Sequence, residues 1–402
     1  MMALLANYKS LKVDGQRTIA TLDAACTWGS TPDGGMNRLS CNDDDKKARD
    51  WFVNITRACG CFHKIDAMGN IFAIRPGENN SIAPIGLGSH LDTQPTGGRY
   101  DGILGVISAI EVLQVLHEAK IVTYAPLAIV NWTNEEGARF SPAMIGAGVW
   151  GGRFTTEFAH LCADTEGRSI KAELERIGYL GSTPASFEEN PLLAHLEVHI
   201  EQGPVLDARE EPVAVGKGVQ SIRWYSADIR GRESHTGTTP MDRRSDALLG
   251  AARFTVAVND IVNKDYFAQR GARATVSVID SLPQSINTIP GHVKLKVDTR
   301  ASTDELIKEI ETHVKEALSS LSGSGLETSF EMIWSSPALT FDSVLLQCIR
   351  DSAHSIGCEQ EIASGAGHDS VYTSLKVPTA MVFVRCKDGV SHNPAEYSRP
   401  EE

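Results

Sequence analysis

Residues 219 to 333 read as six elements in the order β-α-β-β-α-β, and they interrupt a strand–helix alternation that resumes after them. A block of that order packs its own helices on its own sheet, so it constrains the chain to an inserted unit within a larger one. Its strands are expected at Val219 to Ile229, Ala274 to Ile279, Val293 to Val297 and Thr328 to Ile333. Its helices are expected at Asp246 to Val262 and Thr303 to Leu321, the second opened by a capping box of Ser302 and Glu305. At 402 residues the chain also exceeds what one core usually organises.

The surrounding sequence predicts an α/β unit. Residues 16 to 65 read as helices broken by a loop at Gly34-Gly35 and an acidic turn at Asp43 to Asp45. Ile71 to Ile74, Ile85 to Leu91, Leu127 to Trp132 and Leu196 to Ile200 read as strands. Between them, Ile103, Val106, Ile107, Ile110, Leu113 and Leu116 repeat with a helical period. After Pro337 come a helix at Val344 to Ile356 and a strand at Thr379 to Val384. The expected layout is a mixed sheet flanked by helices over 1–216 and 336–402, with an inserted ferredoxin-like α+β unit over 217–335.

A net charge of −13 argues against nucleic-acid binding, which needs a surplus of Lys and Arg. No run approaches the roughly 20 apolar residues of a membrane span. Met1 to Lys9 has a brief apolar patch (Ala3 to Ala6) without a long hydrophobic region or cleavage pattern, so a cytoplasmic location is expected. Eight scattered cysteines, none in a C-x-x-C pair, fit reduced thiols.

Suspicious polar residues cluster at strand ends. His90 and Asp92 lie two apart at the end of an apolar strand and so share a side. One could ligate a metal while the other fixes the ring, although an isolated His-x-Asp is commonly structural. Asp101 precedes a helix, as an N-cap or as a carboxylate shared by two cations. Glu135 and Glu136 follow a core strand, where adjacent carboxylates repel unless cations offset them. His199 stands between apolar neighbours on a strand, and His392 follows the last strand. His90, Asp101, Glu136, His199 and His392 together make a mixed nitrogen–oxygen set suited to two divalent ions, Zn²⁺ first, with Mn²⁺, Co²⁺ or Ni²⁺ as alternatives.

These segments resemble, in order, the hydantoinase/carbamoylase-type amidases of the aminoacylase-like di-zinc metallopeptidase superfamily. That family includes β-ureidopropionase, N-carbamoyl-L-amino acid hydrolase and allantoate amidohydrolase. The matching blocks are GSHLDTQPTGGRYDGILGV (88–106), NEEGARF (134–140), HIEQGPVL (199–206), SHTGTTPMDRRSDAL (234–248), GAGHDS (365–370) and SHNPAEYS (391–398). The resemblance implies a di-zinc aminopeptidase-like catalytic domain, an inserted lid that also forms a homodimer, and a small-molecule substrate. By motif, His90 and His199 would hold separate ions, Asp101 would bridge them, and Glu136 with His392 would complete one site. Glu135 would be the general base acting on a shared water, Asp92 would orient His90, and His235 would stabilise the oxyanion. Gln202, Asn287, Arg300 and His368 resemble substrate contacts. The expected reaction is hydrolysis of an N-carbamoyl amino acid, N-carbamoyl-β-alanine first. N-carbamoyl-L-α-amino acids and allantoate are the alternatives, and a catalytically silent binding protein of the same fold is the remote one.

Overall fold

The computed structural model describes residues 11–402, so the apolar patch at Ala3 to Ala6 lies outside the described residues. The chain divides into two compact units, Met1–Gly218 with Phe341–Glu402, and Val219–Thr340.

The first unit is built on a mixed sheet. Its strands run side by side in the order Phe62–Ile65, Ile71–Arg75, Leu127–Trp132, Ile85–His90, Ala194–Ile200, Thr379–Val384 and Val213–Val219. The four strands Leu127–Trp132, Ile85–His90, Ala194–Ile200 and Thr379–Val384 are mutually parallel, while those flanking them pair antiparallel. Their carboxyl ends therefore emerge on one edge of the sheet, where open α/β sheets carry their ligands. Leu127–Trp132 is buried at every position, which accounts for the apolar run Leu127 to Val130. The predicted stripe from Ile103 to Leu116 lies buried along the helix Ile103–Glu118.

The sequence misled in three places. Asp43 to Asp45 form the first turn of the helix Asp43–Ala58 rather than an acidic turn. Asn42 caps that helix by accepting the Asp45 N–H at 2.7 Å, and carboxylates there complement the exposed N–H groups. Phe62–Ile65, assigned to helix, is an edge strand. In the second unit, the cap of the helix Asp304–Ser319 is Thr303, whose hydroxyl accepts the Leu306 N–H at 3.2 Å, and not Ser302.

The second unit has four antiparallel strands in the order Glu327–Ser336, Ser221–Arg230, His292–Ala301 and Arg273–Leu282. The helices Ala247–Val262 and Asp304–Ser319 close the β-α-β-β-α-β order. Tyr225, Ala227 and Ile229 alternate with Val293, Leu295 and Val297 to form one buried face, which packs with Phe254, Val258, Ile307 and Ile310. Among the described residues, no helix is long and apolar enough to cross a membrane.

Candidate metal centre

All six residues expected to hold or work beside the ions fall in the first unit, at the shared edge of the parallel strands. His90 ends one strand and His199 sits one residue from the end of its neighbour. Glu135 and Glu136 follow Leu127–Trp132, and His392 follows Thr379–Val384. Asn134, Gln202 and His392 all adopt positive φ, of 56°, 57° and 53°. Non-glycine residues carry that strain where surrounding contacts over-determine them, and here all three border one site.

Asp101 is not the helix cap. Gly102 holds that position without a side-chain cap bond, and its φ of 66° suits glycine. A Cβ on Gly102 would lie 2.2 Å from the His90 ring, so glycine also gives the imidazole its room. The Asp101 carboxylate is thereby free to face the site. Its Oδ1 lies 3.1 Å from His199 Nε2 and 3.7 Å from His90 Nε2. Its Oδ2 lies 3.3 Å from His392 Nε2, which in turn is 3.5 Å from Glu136 Oε2. Among the described residues three donor sets are close enough to hold an ion. Two share Asp101, namely His90, Asp101 and His199, and Asp101, Glu136 and His392; the third is Glu197, His199 and His368, whose Glu197 already accepts the Ser89 and Ser370 hydroxyls. The expectation put His90 and His199 on separate ions, whereas the structure groups them beside the same oxygen of Asp101. Their strands are direct neighbours in the sheet, so both rings arrive on the same side of Asp101.

The fit to cations can be tested on the donors themselves. His90 Nδ1 pairs with the Asp92 carbonyl oxygen at 2.9 Å and His199 Nδ1 with that of Ile200 at 2.9 Å. Each ring therefore commits Nδ1 to a carbonyl and turns Nε2 toward Asp101. His90 Nε2 is buried without a hydrogen-bond partner. A tetrahedral ion with bonds of about 2.0–2.1 Å holds its ligands about 3.3–3.4 Å apart, close to the 3.1–3.7 Å found here. The residues present fit.

Electrostatics point the same way. Burial, then Asp369, Glu136 and Asp101, push the Glu135 carboxyl well above its usual range, and burial with Asp101 does the same to Glu136. Burial lowers the His90 ring to about 4. For His199 burial opposes the charge, but the hydrogen bond to Asp101 outweighs it and raises the ring to about 9. A buried set with more carboxylates than cations to balance them is what divalent ions neutralise.

Asp92 and His368 are both buried beside these rings. Asp92 steadies His90 through its main-chain carbonyl, while its carboxylate stands 3.9 Å from the ring. That carboxylate instead accepts the N–H groups of Glu135 and Glu136, both at 3.3 Å, and so shapes the loop bearing the base. His368 is buried edge-to-face against His199, with ring centroids 4.5 Å apart, and its Nε2 meets Ser364 Oγ at 2.8 Å. That packing supports the His199 ring. Glu135 Oε2 lies 3.4 Å from His90 Nε2, beside both sets. Gln202 donates from Nε2 to Asp101 Oδ2 at 2.7 Å, and its Oε1 is buried without a partner.

The second unit holds the remaining expected residues. His235 pairs with Thr288 in a short ladder, which sets it beside Asn287, whose carbonyl accepts the Thr236 N–H at 3.0 Å. His235 Nδ1 accepts the N–H groups of Gly237 and Thr238, leaving Nε2 as a donor. Arg300 pairs with Asp298 through Nε at 3.0 Å and Nη2 at 2.9 Å. Gln94, which holds Glu136 Oε2 at 2.8 Å, was not singled out from sequence. A lone glutamine in a loop carries no spacing signal.

The profile of peptidase family M20/M25/M40 matches residues 86–402. An N-carbamoyl-L-amino-acid amidohydrolase of Rhizobium meliloti is 38% identical over 368 residues, covering 90% of this chain and 86% of that protein. An N-carbamoyl-L-amino acid amidohydrolase of Geobacillus stearothermophilus is 32% identical over 404 residues, covering 97% and 95%. Among solved structures, a hydantoinase/carbamoylase family amidase from Burkholderia multivorans is 42% identical, with a TM-score of 0.88, 98% of this chain and 95% of that one covered.

Proposed function

Because this chain belongs to peptidase family M20/M25/M40, on its hydantoinase/carbamoylase-type amidase branch, we propose that it hydrolyses the carbamoyl C–N bond of N-carbamoyl-L-α-amino acids. The observation that carries the reading is Asp101, whose two oxygens face two separate donor sets. His90 and His199 would hold one divalent cation and Glu136 with His392 the other, Zn²⁺ being the ion these donors favour. Bound in a pair, such ions lower the pKa of a shared water toward roughly 7 and polarise a carbonyl.

The protein's own groups do the rest. Glu135 takes the proton of the attacking water and passes it to the leaving nitrogen. His235, with Nε2–H as donor, stabilises the oxyanion in its own or a partner subunit's site. Gln202 Oε1 accepts from the substrate's NH₂, and Asn287 adds a polar contact. Arg300 pairs with the substrate carboxylate. One water per substrate yields the amino acid, ammonia and CO₂. The second unit serves as homodimer surface, a reading supported by its edge strand Arg273–Leu282, which exposes Val278, Ile279 and Leu282.

N-carbamoyl-β-alanine, the substrate first expected, differs by one methylene between carbamoyl nitrogen and carboxylate. It yields first place because the two curated relatives named above are N-carbamoyl-L-amino acid amidohydrolases. An ammonia-release panel of N-carbamoyl-L-α-amino acids, N-carbamoyl-β-alanine and allantoate decides between them. The α-substrates are expected to give the highest kcat/KM. A preference for N-carbamoyl-β-alanine or allantoate would reverse the ranking, and no turnover of any would sink the class. Arg300→Ala is expected to raise KM roughly 10–100-fold with little change in kcat, the loss of one charged hydrogen bond in ground-state binding. Steady-state kinetics showing a kcat effect alone would remove Arg300 from the substrate's carboxylate.

A further inference from the structure

Glu396 is 4% exposed and lies in the SHNPAEYS block, four residues past His392. Its Oε1 accepts the backbone N–H groups of Tyr100 at 2.9 Å and Asp101 at 3.0 Å. Its Oε2 accepts the Ser391 hydroxyl at 3.1 Å, and the same hydroxyl approaches Asp101 Oδ2 at 3.0 Å. One buried carboxylate therefore joins the backbone of the shared ligand Asp101 to the loop that delivers His392, nearly 300 residues later in the chain.

The neighbourhood is shaped around this contact. A Cβ on Gly98 would fall 2.2–2.3 Å from the Glu396 side chain, so only glycine leaves that carboxylate its place. A Cβ on Gly35 would meet Pro394 at 2.8 Å, fixing the same loop from another side. His392 has more need of such a tie than the other imidazoles. His90 and His199 are about 1% exposed and borne on strands. His392 is 49% exposed, follows its strand by several residues and sits at a φ of 53°.

We propose that Glu396 is a positioning residue that holds His392 in register with Asp101 and so sets the affinity of the Asp101, Glu136 and His392 set for its cation. This rests on the two-cation reading above. Its effect is asymmetric: the His90, Asp101 and His199 set keeps two strand-borne rings without it.

The test is calorimetric titration of Zn²⁺ into chelator-treated, dialysed full-length chain, with a thermal melt on each variant. Wild type is expected to take up two equivalents. Glu396→Ala is expected to bind the tighter equivalent within about threefold of wild type and the other roughly 10–100-fold more weakly, the range typical of lost outer contacts. Gly98→Ala, which pushes on the carboxylate without removing it, is expected to shift the same equivalent. Glu396→Gln keeps an oxygen for the two N–H groups and is expected to bind nearly as wild type. Unchanged affinities in Glu396→Ala, or an equal loss of both equivalents, would overturn the assignment. Should Glu396→Ala not fold, Gly98→Ala decides by the same criteria. A wild-type chain that takes up fewer than two equivalents defeats the two-cation reading itself, and this proposal with it.

Discussion

Glu135→Gln is expected to lower kcat by roughly 10²–10⁴-fold while two cations remain bound, because the amide keeps the side chain's shape but cannot take a proton. Glu135 stands beside both donor sets without joining either, 3.4 Å from His90 Nε2. Its backbone is held on both sides: its N–H reaches Asp92 Oδ1 at 3.3 Å and its carbonyl accepts the Met144 N–H at 2.7 Å. The substitution therefore leaves the loop in place and removes only the proton acceptor. Stopped assays on the α-substrate, paired with metal analysis, separate the two effects. Retained turnover would exclude Glu135 as the base, and lost metal would make it a ligand.

Asp101→Asn is expected to reduce bound metal from two equivalents to one or none and to abolish measurable turnover. An amide offers one oxygen where two are in use, and it turns its NH₂ toward either His199 or His392. The loss in affinity is expected to exceed the roughly 10–100-fold typical of residues that merely support a ligand. Metal content after gel filtration reads this directly. Two equivalents in the variant would mean that Asp101 does not join the two sets.

Much of this was legible in the sequence because strands announce themselves. Leu127 to Val130 is a continuous apolar run because both faces of its strand are covered, and the Ile103 to Leu116 stripe is buried as its spacing requires. The six-element order of the inserted unit survived intact, since each element alternates or repeats on its own. Grouping of the ligands was not legible, because it depends on strand order. Nothing in the chain between His90 and His199 says that their strands lie side by side. How Asp92 holds the His90 ring was illegible for a related reason: spacing locates the residue, but not whether its carbonyl or its carboxylate meets the ring. Glu396 was passed over because a buried carboxylate that caps distant backbone N–H groups has no local signature. The acidic run at Asp43 to Asp45 shows the ambiguity of charge, which suits a solvated turn and a helix's first turn equally.

Anomalous diffraction at the zinc edge, from crystals of the full chain soaked in Zn²⁺, probes the core of the account. Two peaks are expected about 3.5–4 Å apart, one among His90, Asp101 and His199 and the other among Asp101, Glu136 and His392. A single peak, or a pair that does not share Asp101, would contradict it.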